Sequence, residues 1–203
     1  MKKSTQTLLT VGLALVAIVL GYWLFSIINK PIEFEKIKSK RYAKVEMRLE
    51  EIRDAQQAYR QKYGKYSDDF DQLVGFVDTG MIDIVVRKDS SFMAYNKTFQ
   101  QDMNRDTVII RVIGRESVKS SVFNSEFDAS KLRVVPISTI DEQFEIGAGS
   151  IERNGVSIPV FEVSVSNEAM FKDIMDVYGN FIDKSYKLQM GSLTEPSVSG
   201  NWK

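Results

Sequence analysis

The chain has no cysteine and no histidine among its 203 residues. Without cysteine there can be no disulfide, thiolate metal site, thiol nucleophile or N-terminal lipoprotein anchor, a composition that fits an oxidising compartment. The missing histidine removes Ser-His-Asp and Cys-His nucleophiles, imidazole metal ligands and the commonest proton shuttle. Charge of one sign is also lacking: 27 basic and 27 acidic residues cancel, so no overall field gathers nucleic acid. Phosphate-cradling GxxxxGK[ST] and GxGxxG loops and the Ser-x-x-Lys arrangement do not occur. Asp68, Asp69 and Asp71 crowd together without the alternate oxygens, central glycine and closing glutamate of a calcium loop; they read as an acidic helix start. Ser150 follows Gly147-Ala148-Gly149 but has no base to take its proton, so it reads as strand and turn. No catalytic, cofactor-binding or metal-binding residue is assigned. The chain is expected not to be an enzyme and to take neither nucleic acid nor a small-molecule substrate.

What the sequence does have is one long hydrophobic run. Residues 8–28, LLTVGLALVAIVLGYWLFSII, carry no charge and are long enough to cross a hydrocarbon layer of roughly 30 Å. This predicts a transmembrane helix anchored through Leu8, Leu15, Ala17, Gly21, Tyr22, Trp23 and Ile28. Tyr22 and Trp23 lie toward one end, where amphipathic rings favour the headgroup level. Ala17 and Gly21 form a small-xxx-small pair of the kind that lets helices approach closely. A cleavable signal would have a shorter apolar region and a small-x-small site, so the span is expected to be retained. Basic residues after the span outnumber Lys2 and Lys3 before it, which argues for a cytoplasmic domain. Glu33, Glu35 and Glu46 dilute that stretch, however, and long domains translocate largely regardless of charge. The expected location is therefore the bacterial inner membrane, single-pass, with the C-terminal domain periplasmic.

Beyond the span, Pro31 is expected to end or bend the helix. Tyr42, Val45, Leu49, Ile52, Ala55, Tyr59 and Tyr63 then recur at steps of three and four, predicting an amphipathic helix over 32–63. It reads as an interaction stalk through Tyr42, Val45, Leu49, Ile52, Tyr59 and Tyr63, with Tyr59, Tyr63 and Tyr66 expected to pack it onto the globular body and Gly64 at its left-handed end. Ser67 or Asp68 is expected to cap a short helix over 69–74, stopped by Gly75 and Gly80. Strands are expected at 82–86, 108–113 and 132–137. Residues 143–151 and 156–165 alternate apolar and polar around Asn154-Gly155, the signature of a tight hairpin. Asn167 reads as the cap of a helix bearing Phe171, Ile174, Tyr178 and Phe181 on one face, with Gly179 able to split it. The expected organisation is a tail at 1–7, the span, the stalk, an α+β globular domain over 66–190 with a small, mainly antiparallel sheet, and an irregular tail over 191–203.

The segment IRDAQQAYRQKYGKYSDDFDQLVGFV, residues 52–77, resembles the first helix and following loop of bacterial pilins and pseudopilins, where an Ala-Gln-x-x-Tyr run leads to Gly-x-Tyr. The start, MKKSTQTLLTVGLALV, lacks the glycine cleavage site and nearby glutamate of processed pilins. The order of tail, span, stalk and small domain also resembles single-pass assembly-platform subunits of type IV pilus and type II secretion systems. FEIGAGSIERNGVSIPVFEVSVS and GSLTEPSVSGNWK are similar to uncharacterised membrane proteins of Bacteroidota-type bacteria. Together these resemblances imply a structural subunit of a cell-envelope machine, whether secretion, pilus-like or motility. Its expected partners are the lipid bilayer and other envelope subunits, including further copies of itself. The alternative expectation is a membrane-tethered ligand-binding or sensory module.

Overall fold

The computed structural model describes residues 2–98 and 100–202, so the outermost residues of both expected tails, Met1 and Lys203, lie outside the described residues. It is an α+β structure in which a single helix, α1 (Lys2–Tyr63), holds both the apolar run and the amphipathic segment. Of the two outcomes expected at Pro31, an end or a bend, the helix does not end there. Proline removes one amide donor, and the carbonyl it frees belongs to Ile27, near the end of the apolar run, so the helix loses a single bond there. Downstream packing then holds the chain helical, because Phe34, Val45, Leu49 and Ile52 are all buried. Gly64 takes φ +73°, and its amide donates to the Arg60 carbonyl at 2.8 Å, closing α1 with the expected left-handed turn.

The second helix, α2 (Phe70–Thr79), is longer than its predicted range. Asp69, rather than Ser67 or Asp68, is its cap, accepting from the Asp71 amide. Gly75 does not stop it, because Phe76 and Val77 beyond that glycine are drawn into the core. Two strands follow, β1 (Met81–Asn96) and β2 (Gln101–Ser117), paired antiparallel in a ribbon that extends well beyond the predicted 82–86 and 108–113. A short helix α3 (Val118–Val122) returns the chain to the body.

The predicted strand at 132–137 is not formed. Its first residues belong to a 3-10 turn, Ala129–Arg133, capped by Asp128 accepting from the Ser130 amide. The turn buries Ala129 and Leu132, three positions apart and hence on one side, and only Val134 makes an isolated bridge, to Gln143. The Asn154-Gly155 hairpin is formed as expected: β3 (Glu145–Arg153) and β4 (Val156–Ser166) pair with Arg153 opposite Val156. Asn154 and Gly155 both have positive φ, 53° and 74°.

After β4 the predicted helix is broken into α4 (Asn167–Met170), 3-10 turns and α5 (Met175–Tyr178). Ser166, rather than Asn167, caps α4, accepting from the Ala169 amide. The last strand, β5 (Lys187–Gly191), joins β4 in a sheet of order β3-β4-β5. Residues beyond it run beside β5: the Gly191 amide donates to the Ser199 carbonyl and the Asn201 amide to that of Gln189. The core lies between the inner face of α1, α2 and the inner face of this sheet, where Phe161, Val163, Leu188 and Met190 are buried. Gly191 is required there. With φ +79°, a Cβ would stand 2.3 Å from the Phe161 carbonyl oxygen.

Candidate membrane anchor and interaction surface

Residues 8–25 of α1 are exposed on every side of the helix. Leu8, Leu15, Tyr22, Trp23 and Ile28 are all exposed, as are Ala17 and Gly21, and a side chain at Gly21 would meet nothing. It is one helix long and apolar enough to cross a membrane, consistent with a single span or signal anchor.

The second half meets the opposite environment. Val45, Leu49, Ile52 and Ala55 are completely buried and Tyr59 nearly so. Each fully buried aliphatic side chain contributes about 1.5–3 kcal/mol. The face read as an interaction stalk is thus the central rib of the domain's own core. Tyr63 alone of that set is exposed; Tyr42 is half-buried. Gln56 entered the sequence reading only as part of the Ala-Gln-x-x-Tyr run. Fully buried, its amide nitrogen donates to the Ser67 carbonyl at 2.7 Å and its oxygen accepts from the Ser67 amide at 2.9 Å. This bidentate pair pins the loop after Gly64 against the helix, while Tyr59 packs edge-on to Phe76 at 5.2 Å and Tyr66 against Phe161 at 4.6 Å. Desolvation raises the Tyr59 pKa, as burial does for any phenolate. The Arg60 guanidinium lies over the Tyr66 ring, 5.4 Å from its centroid.

Docking reaches almost down to the span. Arg41 grips Asp173 with two parallel bonds of 2.6 and 2.7 Å, donates to the Met170 carbonyl at 2.7 Å and lies over the Phe171 ring. These Arg41 bonds, with one donated by Thr139, hold the Asp173 carboxyl down at a pKa of about 2. The Tyr42 hydroxyl donates to Asn167 Oδ1 at 2.7 Å, and Asn167 in turn donates to the Asp183 carbonyl at 2.9 Å. Burial raises the Tyr42 pKa against the opposing effect of that hydrogen bond. Lower still, Phe34 is buried against Phe171, Tyr178 and Phe181. From Ile28 to Phe34 is about 9 Å of helix at 1.5 Å per residue. No spacer therefore separates the apolar run from the domain.

The acidic helix start at α2 is structural: Asp69 caps it and Asp71 pairs with Arg133 at 3.0 Å. Among the described residues no cluster of acids is arranged to hold a metal. Ser150 lies on β3, beside a cleft of about 410 Å³ shared with Gly64, Tyr66 and Pro159 that opens to solvent.

The ribbon differs from all of this. It is paired from Met81 opposite Ser117 to Asn96 opposite Gln101, a reach of about 50 Å at 3.3 Å per residue. At its base Lys62 donates to the Met81 carbonyl at 2.7 Å, and just outside its ends the Val118 amide donates to the Gly80 carbonyl at 3.0 Å. Beyond the base, both faces are exposed, including Phe92, Met93, Val108, Ile109 and Ile110. Among the described residues its sheet has two strands, so both outer edges are unpaired there. The chain matches no family model, no curated protein and no solved structure.

Proposed function

We propose that the protein is a non-enzymatic structural subunit of a bacterial cell-envelope machine, a secretion, pilus-like or motility apparatus. It is held in the inner membrane by residues 8–28, with its domain on the periplasmic face, and acts through protein-protein contacts. The observation that carries this reading is the β1–β2 ribbon. An isolated two-stranded hairpin is marginal in water, yet this one is long, exposes large apolar side chains on both faces and is tied to a well-packed body. A surface of that kind is built for a protein neighbour. The continuous helix supports the rest: the apolar run and the buried rib of the domain belong to one helix, α1.

The test is recovery of the full chain from its native membrane in mild detergent, beside a variant in which residues 85–112 are replaced by a tight turn. The intact chain should retain stoichiometric partners or further copies of itself. The shortened chain should lose them while keeping its thermal transition. A lone monomer under crosslinking overturns the proposal. A reporter fused after Lys203 tests the orientation separately.

A further inference from the structure

The register of the ribbon sorts its charges by face. Residues opposite one another across an antiparallel pair project to the same side, and successive residues to opposite sides. Over the distal part, from Val85 opposite Val112 to Tyr95 opposite Asp102, one face carries Asp89, Asp102 and Asp106 with Arg87 as its single base. The other carries Lys88, Arg105 and Arg111 and no acid. Every one of these charges stands opposite an uncharged residue: Lys88 faces Ile109, Asp89 faces Val108, Arg105 faces Phe92. Among the described residues none of the seven takes part in an ion pair. A ribbon stabilised by itself would set opposite charges across the strands. Here like charges collect, Asp89 lying diagonal to Asp106 and Lys88 to Arg111.

From this we infer that the ribbons of neighbouring copies stack, the acidic face of one against the basic face of the next. The inference rests on the subunit reading above and names the partner as a second copy of this chain. An anionic lipid surface or nucleic acid would satisfy the basic face and leave the acidic one bare, whereas a second copy supplies complements to both. Sheets packed face to face lie about 10 Å apart, close enough to bury Val108 and Ile110 of one copy against Phe92 and Ile109 of the other. The contact is heterologous, so it propagates into a ring or a filament rather than stopping at a two-fold dimer. Each face is small, and the shared membrane supplies the effective concentration that such an interface needs.

The test uses the full chain in detergent or lipid nanodiscs, where the absence of native cysteine makes engineered thiols unambiguous. Chains carrying Val108→Cys on the acidic face and chains carrying Ile109→Cys on the basic face should form mixed disulfides in preference to either homodisulfide. Reversing one face, by Lys88→Asp with Arg105→Asp and Arg111→Asp, or by Asp89→Lys with Asp102→Lys and Asp106→Lys, should weaken self-association about tenfold or more. Mixing the two reversed chains should restore it, because each then meets its complement. A chain reversed on both faces should associate as the original does, which separates lost complementarity from lost folding.

Unchanged association in either reversed chain, or failure of the mixture to restore it, overturns the inference. So does capture of the original chain by phosphatidylglycerol vesicles, abolished by the basic-face reversal, with no self-association. If envelope proteins co-purify with a chain that never self-associates, copy-to-copy stacking falls and the subunit reading stands. If neither partners nor copies are recovered, both fall.

Discussion

The molecule contains two β-hairpins, and their contrast is instructive. In β3–β4 one strand alternates so that Phe161, Val163 and Val165 point at the core, and β5 covers the outer edge of β4. In β1–β2 the pairing is longer and equally regular apart from an irregularity at Ile84 and Val85, yet both faces remain in solvent. Backbone pairing alone therefore does not distinguish a core element from an exposed one. The difference lies in whether the rest of the chain provides a surface for the side chains.

The sharpest way to break this comparison is to truncate one large side chain in the covered hairpin. Phe161→Ala should cost about 3–5 kcal/mol in urea unfolding, the range for a fully buried aromatic. If it cost as little as a ribbon substitution, the two hairpins would not differ energetically. Next in size is the tie between α1 and its loop. Gln56→Ala leaves a buried amide and carbonyl of Ser67 without partners and should cost about 2–4 kcal/mol by the same measurement.

The Arg41–Asp173 clamp gives a smaller, pH-dependent effect. The Asp173 carboxyl, held at about 2, lies below its ordinary 3.8. Its contribution is therefore complete above pH 4 and disappears as the pH falls from about 4 through 2. After allowance for screening at a partly exposed pair it is about 1–2 kcal/mol. Stability measured between pH 6 and 2 should decline over that window, and Asp173→Asn should remove this part of the slope. The smallest effect belongs to the ribbon: Ile110→Ala should change the stability of the isolated monomer by about 0.5 kcal/mol or less. Amide exchange sharpens the contrast, since β1–β2 amides should exchange far faster than those of β4, at the centre of its sheet.

How far these features were legible depended on their range. The apolar run is a local signal, and so is the three-four spacing from Val45 to Tyr59, because both follow from helix geometry over a few turns. Asn154-Gly155 was legible for the same reason: positive backbone angles at two adjacent residues select those side chains. Residues 132–137 misled because β-branched composition stands for strand only where a neighbouring strand exists to pair; here Asp128 capped a 3-10 turn instead. β5 was overlooked because its pairing partner, β4, is distant in sequence. The ribbon was recognised only in two short pieces, since Lys88 to Ser91 and Arg105 to Thr107 interrupt the apolar signal that a covered strand would show.

By itself, the sequence determined that one segment prefers lipid, that a single helix emerges from it with an apolar face, and that a tight hairpin lies near the C-terminal end. These follow from the solvation of side chains and the local steric limits of the backbone. Only the tertiary structure decided what that apolar face would meet. It turned the expected stalk into the core's own rib and left the ribbon as the exposed element, because burial depends on which distant surfaces the chain can bring together.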